Sequence, residues 1–252
     1  MTLSFFRKRK EQKQESGVVK LYKAVTVDES FNFKTAKVID FCVKELLSLS
    51  QGNITDVEAD FTNGVNKTWK EYASFVNYAQ KHNDSHIEMY SSYIIDGMSG
   101  QLHFCNDTNR LNRNENEMNM IDIIISFPNK TVDISFLRKF LTDLFQIETF
   151  DYGYVCFLTD EHDIFSERKI KKGLFSETSS CTKEDIDKRE KIRNSKDGFL
   201  SDVYQINILN EKQLKKIDKN IGIFHEIENS TLKIWELQKE EIDKVKLCNY
   251  GN

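Results

Sequence analysis

Apolar positions along the chain change period several times, and each change marks an element. The clearest stretch is central. Met120–Phe127 is β-branched and nearly all apolar, and it ends at the breaker pair Pro128-Asn129. Ile134, Leu137, Phe140, Leu141, Leu144 and Phe145 then repeat at helical spacing, with Asp133 or Thr131 placed to cap the first turn. Tyr152–Leu158 is a second largely apolar run. Strand, helix and strand in this order describe a sheet covered by a helix with one apolar face.

Upstream, Val18–Val27 alternates as a first strand. Val38, Ile39, Cys42, Val43, Leu46 and Leu47 predict a helix over Phe33–Leu49, stopped by Gln51-Gly52-Asn53. Trp69, Tyr72, Ala73, Val76 and Ala79 predict a second helix over Val65–Lys81. The period then becomes two: His86–Ile95 and Gln101–Cys105 read as strands joined through Asp96–Gly100, a hairpin pattern, before the polar loop Asn106–Glu117. Downstream, Ser176–Glu190 is charged and poor in apolar residues, which predicts a loop with one or two exposed helical turns. Structure resumes at Gly198–Asn210. Asn210 is placed to cap a short helix holding Leu214 and Ile217. Gly222–Ile227 and Thr231–Leu237 read as strands around Glu228-Asn229-Ser230, and a last helix from Lys239 contributes Ile242, Val245 and Leu247. The expected fold class is α+β: a mixed or antiparallel sheet with flanking helices. It forms a single domain over residues 18–252, with a basic flexible tail at 1–17 and a charged loop insert at about 164–197.

Charge adds a division to this picture. Met1–Ala24 holds seven Lys/Arg against two Glu, whereas Val25–Asp163 holds 11 against 22 acidic residues. A basic tail on an acidic body differs from a nucleic-acid binder, which spreads positive charge over a folded face, so a basic protein partner is expected instead. The single proline argues against Pro-rich recognition segments. Five cysteines without C-x-x-C spacing read as buried reduced thiols. No apolar run reaches the roughly 18 residues needed to span a bilayer, and the N-terminal charges follow rather than precede a short apolar patch. The expectation is a cytoplasmic protein without stable membrane association.

The chemistry-bearing residues are sparse. Asp160, Glu161, His162 and Asp163 follow a buried strand, and such a group can bind a divalent metal or supply an acid and a base. Polar strand ends are also common for no chemical reason. The histidines are scattered, and phosphate loops, dinucleotide turns and nucleophile elbows are all missing from the sequence. No catalytic residue, metal ligand set or cofactor is therefore assigned. Asp202 and Asn207 stand inside an apolar run (Val203, Tyr204, Ile206, Ile208, Leu209). Either they bond backbone groups and fix an irregular turn, or they face a partner or ligand.

The segment Gly198–Asn210 (GFLSDVYQINILN) and the strand Leu232–Leu237 (LKIWEL) resemble a motif pair of small bacterial proteins. The centre from Met120 to Asp160 is similar in style to immunity proteins of type VI secretion and polymorphic-toxin systems. That resemblance implies a protein that neutralises a co-produced toxin by binding it, without chemistry of its own. Asp160, Glu161, Asp163, Asp202 and Asn207 are then the candidate partner-binding residues. The alternative is a hydrolase or nuclease-like enzyme using the Asp160–Asp163 cluster.

Overall fold

The computed structural model describes residues 16–25, 34–50, 54–61, 66–82, 87–95, 98–106, 119–127, 132–159, 162–169, 171–172, 177–178, 183–200 and 202–249. Its centre is strand β1 (Ser16–Val25), which pairs antiparallel with β6 (Asn119–Phe127) on one side and β7 (Tyr152–Leu158) on the other. Since both neighbours oppose β1, they run parallel to each other. Helix α3 (Ile134–Phe145) makes the crossover between them, with β1 threaded through the middle. Beyond β6 lie β5 (Met98–Asn106), β4 (Ile87–Ile95), β2 (Ile54–Phe61) and β3 (Asn66–Trp69). Beyond β7 lie β10 (Ile206–Leu209), β12 (Lys233–Glu236) and β11 (Ile223–Glu226). Among the described residues these make one sheet in which every pair is antiparallel, with a separate two-stranded ribbon of β8 (Lys171–Lys172) and β9 (Glu177–Thr178). The expected α+β class holds, with the sheet of the antiparallel kind.

The period of two sorts the side chains onto two faces. One face collects Val19, Leu21, Ile121, Ile123, Ile125, Val155, Ile206, Ile208 and Ile234, all buried. Helix α1 (Thr35–Ser50) and α3 cover it, with Phe41 of α1 meeting Phe140 of α3 at 5.5 Å between ring centroids. In α3 the stripe Leu137, Phe140, Leu141, Leu144 and Phe145 is buried, and Asp133 caps the helix, accepting from the Phe136 N–H at 2.7 Å. Gly153 of β7 lies so close to β1 that a Cβ would stand 2.7 Å from both Leu21 Cδ2 and the Lys20 carbonyl oxygen. Any side chain there would force the two central strands apart.

Three readings of the sequence need correction. The stretch Val65–Lys81 is not one helix: β3 ends at Trp69, and α2 (Tyr72–His82) begins three residues later. Trp69 pairs opposite Val57 and packs on Phe75 and Tyr78 at 5.3 and 5.2 Å, so Phe75 is the buried anchor of α2 while Ala73 is exposed. The aromatic spacing is that of a strand turning onto its own helix. Strand β2 was not anticipated, because in Ile54–Phe61 the described inward positions are only Val57 and Ala59, amid acidic residues. The segment expected to carry one or two helical turns holds α4 (Lys183–Arg193), eleven residues long, followed by a 3-10 turn at Asn194–Asp197. The capped helix after Asn210 is α5 (Glu211–Leu214), with a reciprocal Asn210–Gln213 capping box, and the last helix is α6 (Lys239–Asn249). No helix of the described residues is long and apolar enough to cross a membrane.

Candidate functional site

The opposite face of the sheet is built differently. Its positions on β1 and β7 are Val18, Lys20, Tyr22, Tyr152, Tyr154 and Cys156, and α4, the turn at 162–169, the segment before β10, α5 and α6 cover them. Lys20 sits at the middle of the central strand with 0% exposure. A buried ammonium needs compensation, and its Nζ donates to Glu167 Oε1 at 2.7 Å and to the Phe165 carbonyl at 3.1 Å.

Glu167 is delivered by a tight turn. Asp163 Oδ1 accepts from the N–H groups of Phe165 and Ser166 at 2.9 and 2.7 Å, and the Glu167 N–H donates to the Asp163 carbonyl at 2.8 Å. Glu167 itself adopts a left-handed backbone (φ 61°), a conformation that costs energy for a residue with a Cβ. Its carboxylate is fully engaged. Besides Lys20, Oε1 accepts from the Tyr154 hydroxyl at 2.7 Å and lies 3.0 Å from Lys188 Nζ, while Oε2 accepts from the Tyr204 hydroxyl at 3.0 Å. The Tyr154 and Tyr204 rings stack at 3.9 Å and 4°, with the Lys188 ammonium over both at 5.3 and 5.4 Å.

The electrostatics follow from this packing. Burial by itself raises the Glu167 carboxyl, but Lys20, then Lys188, and the hydrogen bonds from Lys20 and Tyr154 outweigh it and hold the group at about 2. Burial pushes the Tyr154 and Tyr204 hydroxyls well up, and it pushes the Cys156 thiol up to about 12. A carboxylate saturated with donors and tyrosines that stay neutral form an ionic lock, with no base poised near neutrality.

A second cluster lies beside the first on β5 and β6. His103 Nε2 is 3.0 Å from Asp122 Oδ1, with both side chains buried. Cys105, partly exposed, pairs opposite Asp122 in the ladder, and one donor atom from each of the three residues lies within 4.8 Å of the others. Phe165 joins the two clusters: its carbonyl accepts from Lys20, and its ring stands edge-on to His103 at 4.9 Å. Further out on this face, nothing among the described residues covers β2 and β3. Glu58, Asn66, Thr68 and Lys70 are exposed there, as is Gln101 on β5.

Asp160 and Glu161 lie outside the described residues. Asp163 caps the Glu167 turn, and His162 is bonded through Nδ1 to the Thr159 hydroxyl at 2.9 Å. The Asp202 carboxylate accepts from the Val203 N–H at 2.7 Å. Asn207 is fully buried. Its Oδ1 accepts from the Tyr204 N–H at 2.9 Å, and its Nδ2 donates to the carbonyls of Tyr204 and Trp235 at 2.6 and 3.4 Å. Asp163 thus orients Glu167 and Asn207 orients Tyr204, and the two stretches singled out in the sequence meet where the Tyr204 hydroxyl reaches Glu167. The groups at the centre (Lys20, Glu167, Lys188, Tyr154) and those beside it (His103, Cys105, Asp122) were not foreseen. A signal was present for two of them: Lys20 and Asp122 are lone charges inside apolar strands, VVKLY and MIDIII.

No protein-family model matches the chain, and no curated protein is similar to it in sequence. A solved structure shares the fold. It is the Pseudomonas aeruginosa T6SS protein PA0821, superposing with a TM-score of 0.52 at 8% identity over 88% of this chain. The chain spans 65% of the length of that structure. At this identity the likeness concerns the backbone arrangement, and the residues of the ionic lock are read from this chain alone.

Proposed function

We propose that this chain is a non-enzymatic binding protein of the immunity type, neutralising a co-produced toxin by direct contact in the cytoplasm. The observation that carries the reading is the half-open sheet. The lock closes one half of the polar face, and the other half presents Glu58, Asn66, Thr68 and Gln101 to solvent with the 42%-exposed Phe165 at its margin. The exposed Phe165 is of the residue type that anchors protein interfaces, and the polar residues beside it are of the type that forms their rim. The fold shared with a T6SS protein supports the same reading. The alternative, a hydrolase built on Asp160–Asp163, draws no support from Asp163, whose carboxylate already caps a turn.

The partner is a basic toxin domain, given the excess of acidic residues over Val25–Asp163. Complementary charge speeds encounter and is screened over about 8–10 Å at physiological salt, so association slows as salt rises while dissociation changes little. The test is a pull-down from the native host followed by binding kinetics across a salt series. Phe165→Ala is expected to speed dissociation by about tenfold or more. Glu58→Lys is expected to slow association alone. Removal of residues 1–15 leaves both rates unchanged. A chain that captures no toxin, or binds only with those residues attached, overturns the proposal.

A further inference from the structure

We infer that His103, Cys105 and Asp122 form a site for a divalent transition metal of the zinc class, placed where the covered and open halves of the sheet meet. The ladder makes the arrangement. Cys105 is cross-strand neighbour to Asp122, and His103, two residues from Cys105 on the same strand, projects to the same face. The three donors are an imidazole nitrogen, a sulfur and a carboxylate oxygen, the mixture that suits zinc and cobalt and that calcium and magnesium, which seek oxygen alone, do not select.

Around a tetrahedral zinc with bonds of about 2.0–2.3 Å, neighbouring ligand atoms stand about 3.3–3.8 Å apart. His103 and Asp122 already approach to 3.0 Å, and all three donors lie within 4.8 Å of one another. Closing the set therefore needs side-chain rotation on the order of 1 Å on rigid strands. Binding an ion replaces the direct His103–Asp122 contact with two bonds to the metal. The imidazole ligates in its neutral form with its one N–H on the ring nitrogen away from the ion, any further imidazole proton passing to solvent. The Cys105 thiol releases its proton to solvent to become a thiolate ligand. Phe165 closes one side with its ring against His103. Three protein ligands leave a fourth position for water.

The probe is cobalt, then zinc, added to chelator-treated full-length protein. The expected result is saturable, stoichiometric uptake with the visible absorption of thiolate-ligated Co2+ and a rise in Tm, since an ion held by the native state stabilises it. Cys105→Ser, a conservative change at a partly exposed position, should keep the fold by circular dichroism, abolish the thiolate band and weaken binding by more than about tenfold. Asp122→Asn should also weaken it. Cys181→Ser, outside the described residues, combined with Cys248→Ser on α6 should leave both signals intact. Absence of saturable uptake, or uptake unchanged by Cys105→Ser and lost with Cys181 and Cys248, overturns the site.

Discussion

The two faces of the sheet show two ways of burying a strand. On one, Val19, Leu21, Ile123, Ile125 and Val155 meet the apolar stripes of α1 and α3, and the contact is non-directional. On the other, the same strands present Lys20, Tyr22, Asp122, Tyr152 and Tyr154, and burial requires that each polar group find a partner in the right direction. The first face tolerates exchange among residues of similar volume. The second tolerates almost none: Glu167 accepts from two tyrosine hydroxyls and lies beside two ammonium groups. Non-directional packing supplies adhesion on the first face, and directional bonds on the second fix the placement of the 162–169 turn and of Phe165 at the edge of the open surface.

The largest effect is expected on the polar face. Glu167→Gln leaves Lys20 buried beside a neutral group, and by analogy with broken buried ion pairs it should cost about 3–5 kcal/mol in denaturant unfolding. The double variant Lys20→Met with Glu167→Gln should recover much of that loss, because the fully buried charge is gone, only the partly exposed Lys188 ammonium stays, and the glutamine oxygen still accepts from a tyrosine. A double variant as unstable as the single one would mean that packing, not charge, governs this face. On the apolar face, Leu144→Ala should cost roughly 2–5 kcal/mol, with no dependence on pH. A loss under about 0.5 kcal/mol would place α3 at the surface.

Acid separates the faces next. Glu167 is held at about 2 against an ordinary 4.5, so its proton binds less tightly in the native state. Its contribution to stability is complete above about 4.5 and is lost as the pH falls from there through about 2. Unfolding measured across that window should show a slope that Glu167→Gln reduces and Leu144→Ala leaves alone. The smallest effect belongs to Asn210, which caps α5 and also donates to the carbonyls of Asp151 and Ser195 at 3.0 and 2.9 Å. Asn210→Ala should cost about 1–2 kcal/mol. A change within measurement error would show that α5 is held by Leu214 alone.

The apolar face, and the local caps and turns on both sides of the sheet, were legible from the residues in order. The stripe of α1, the stripe and Asp133 cap of α3, the runs of β6 and β7, the Asn210 cap and the turn at Glu228–Ser230 all depend on neighbours a few positions apart, where local periodicity and capping chemistry act. What failed locally failed for a physical reason. Trp69 at the end of β3 sits beside aromatics spaced like a helix, and β2 has too few apolar positions to show its period. The lone charges Lys20 and Asp122 announced that something must compensate them, yet not what. Lys20 finds Glu167 across 147 positions of sequence, and Asp122 meets His103 only because β5 and β6 pair in one register. A hydrophobic position needs only an inside, which sequence periodicity can specify. A buried charge needs a particular partner at about 3 Å, and only the tertiary structure decides which residue arrives there.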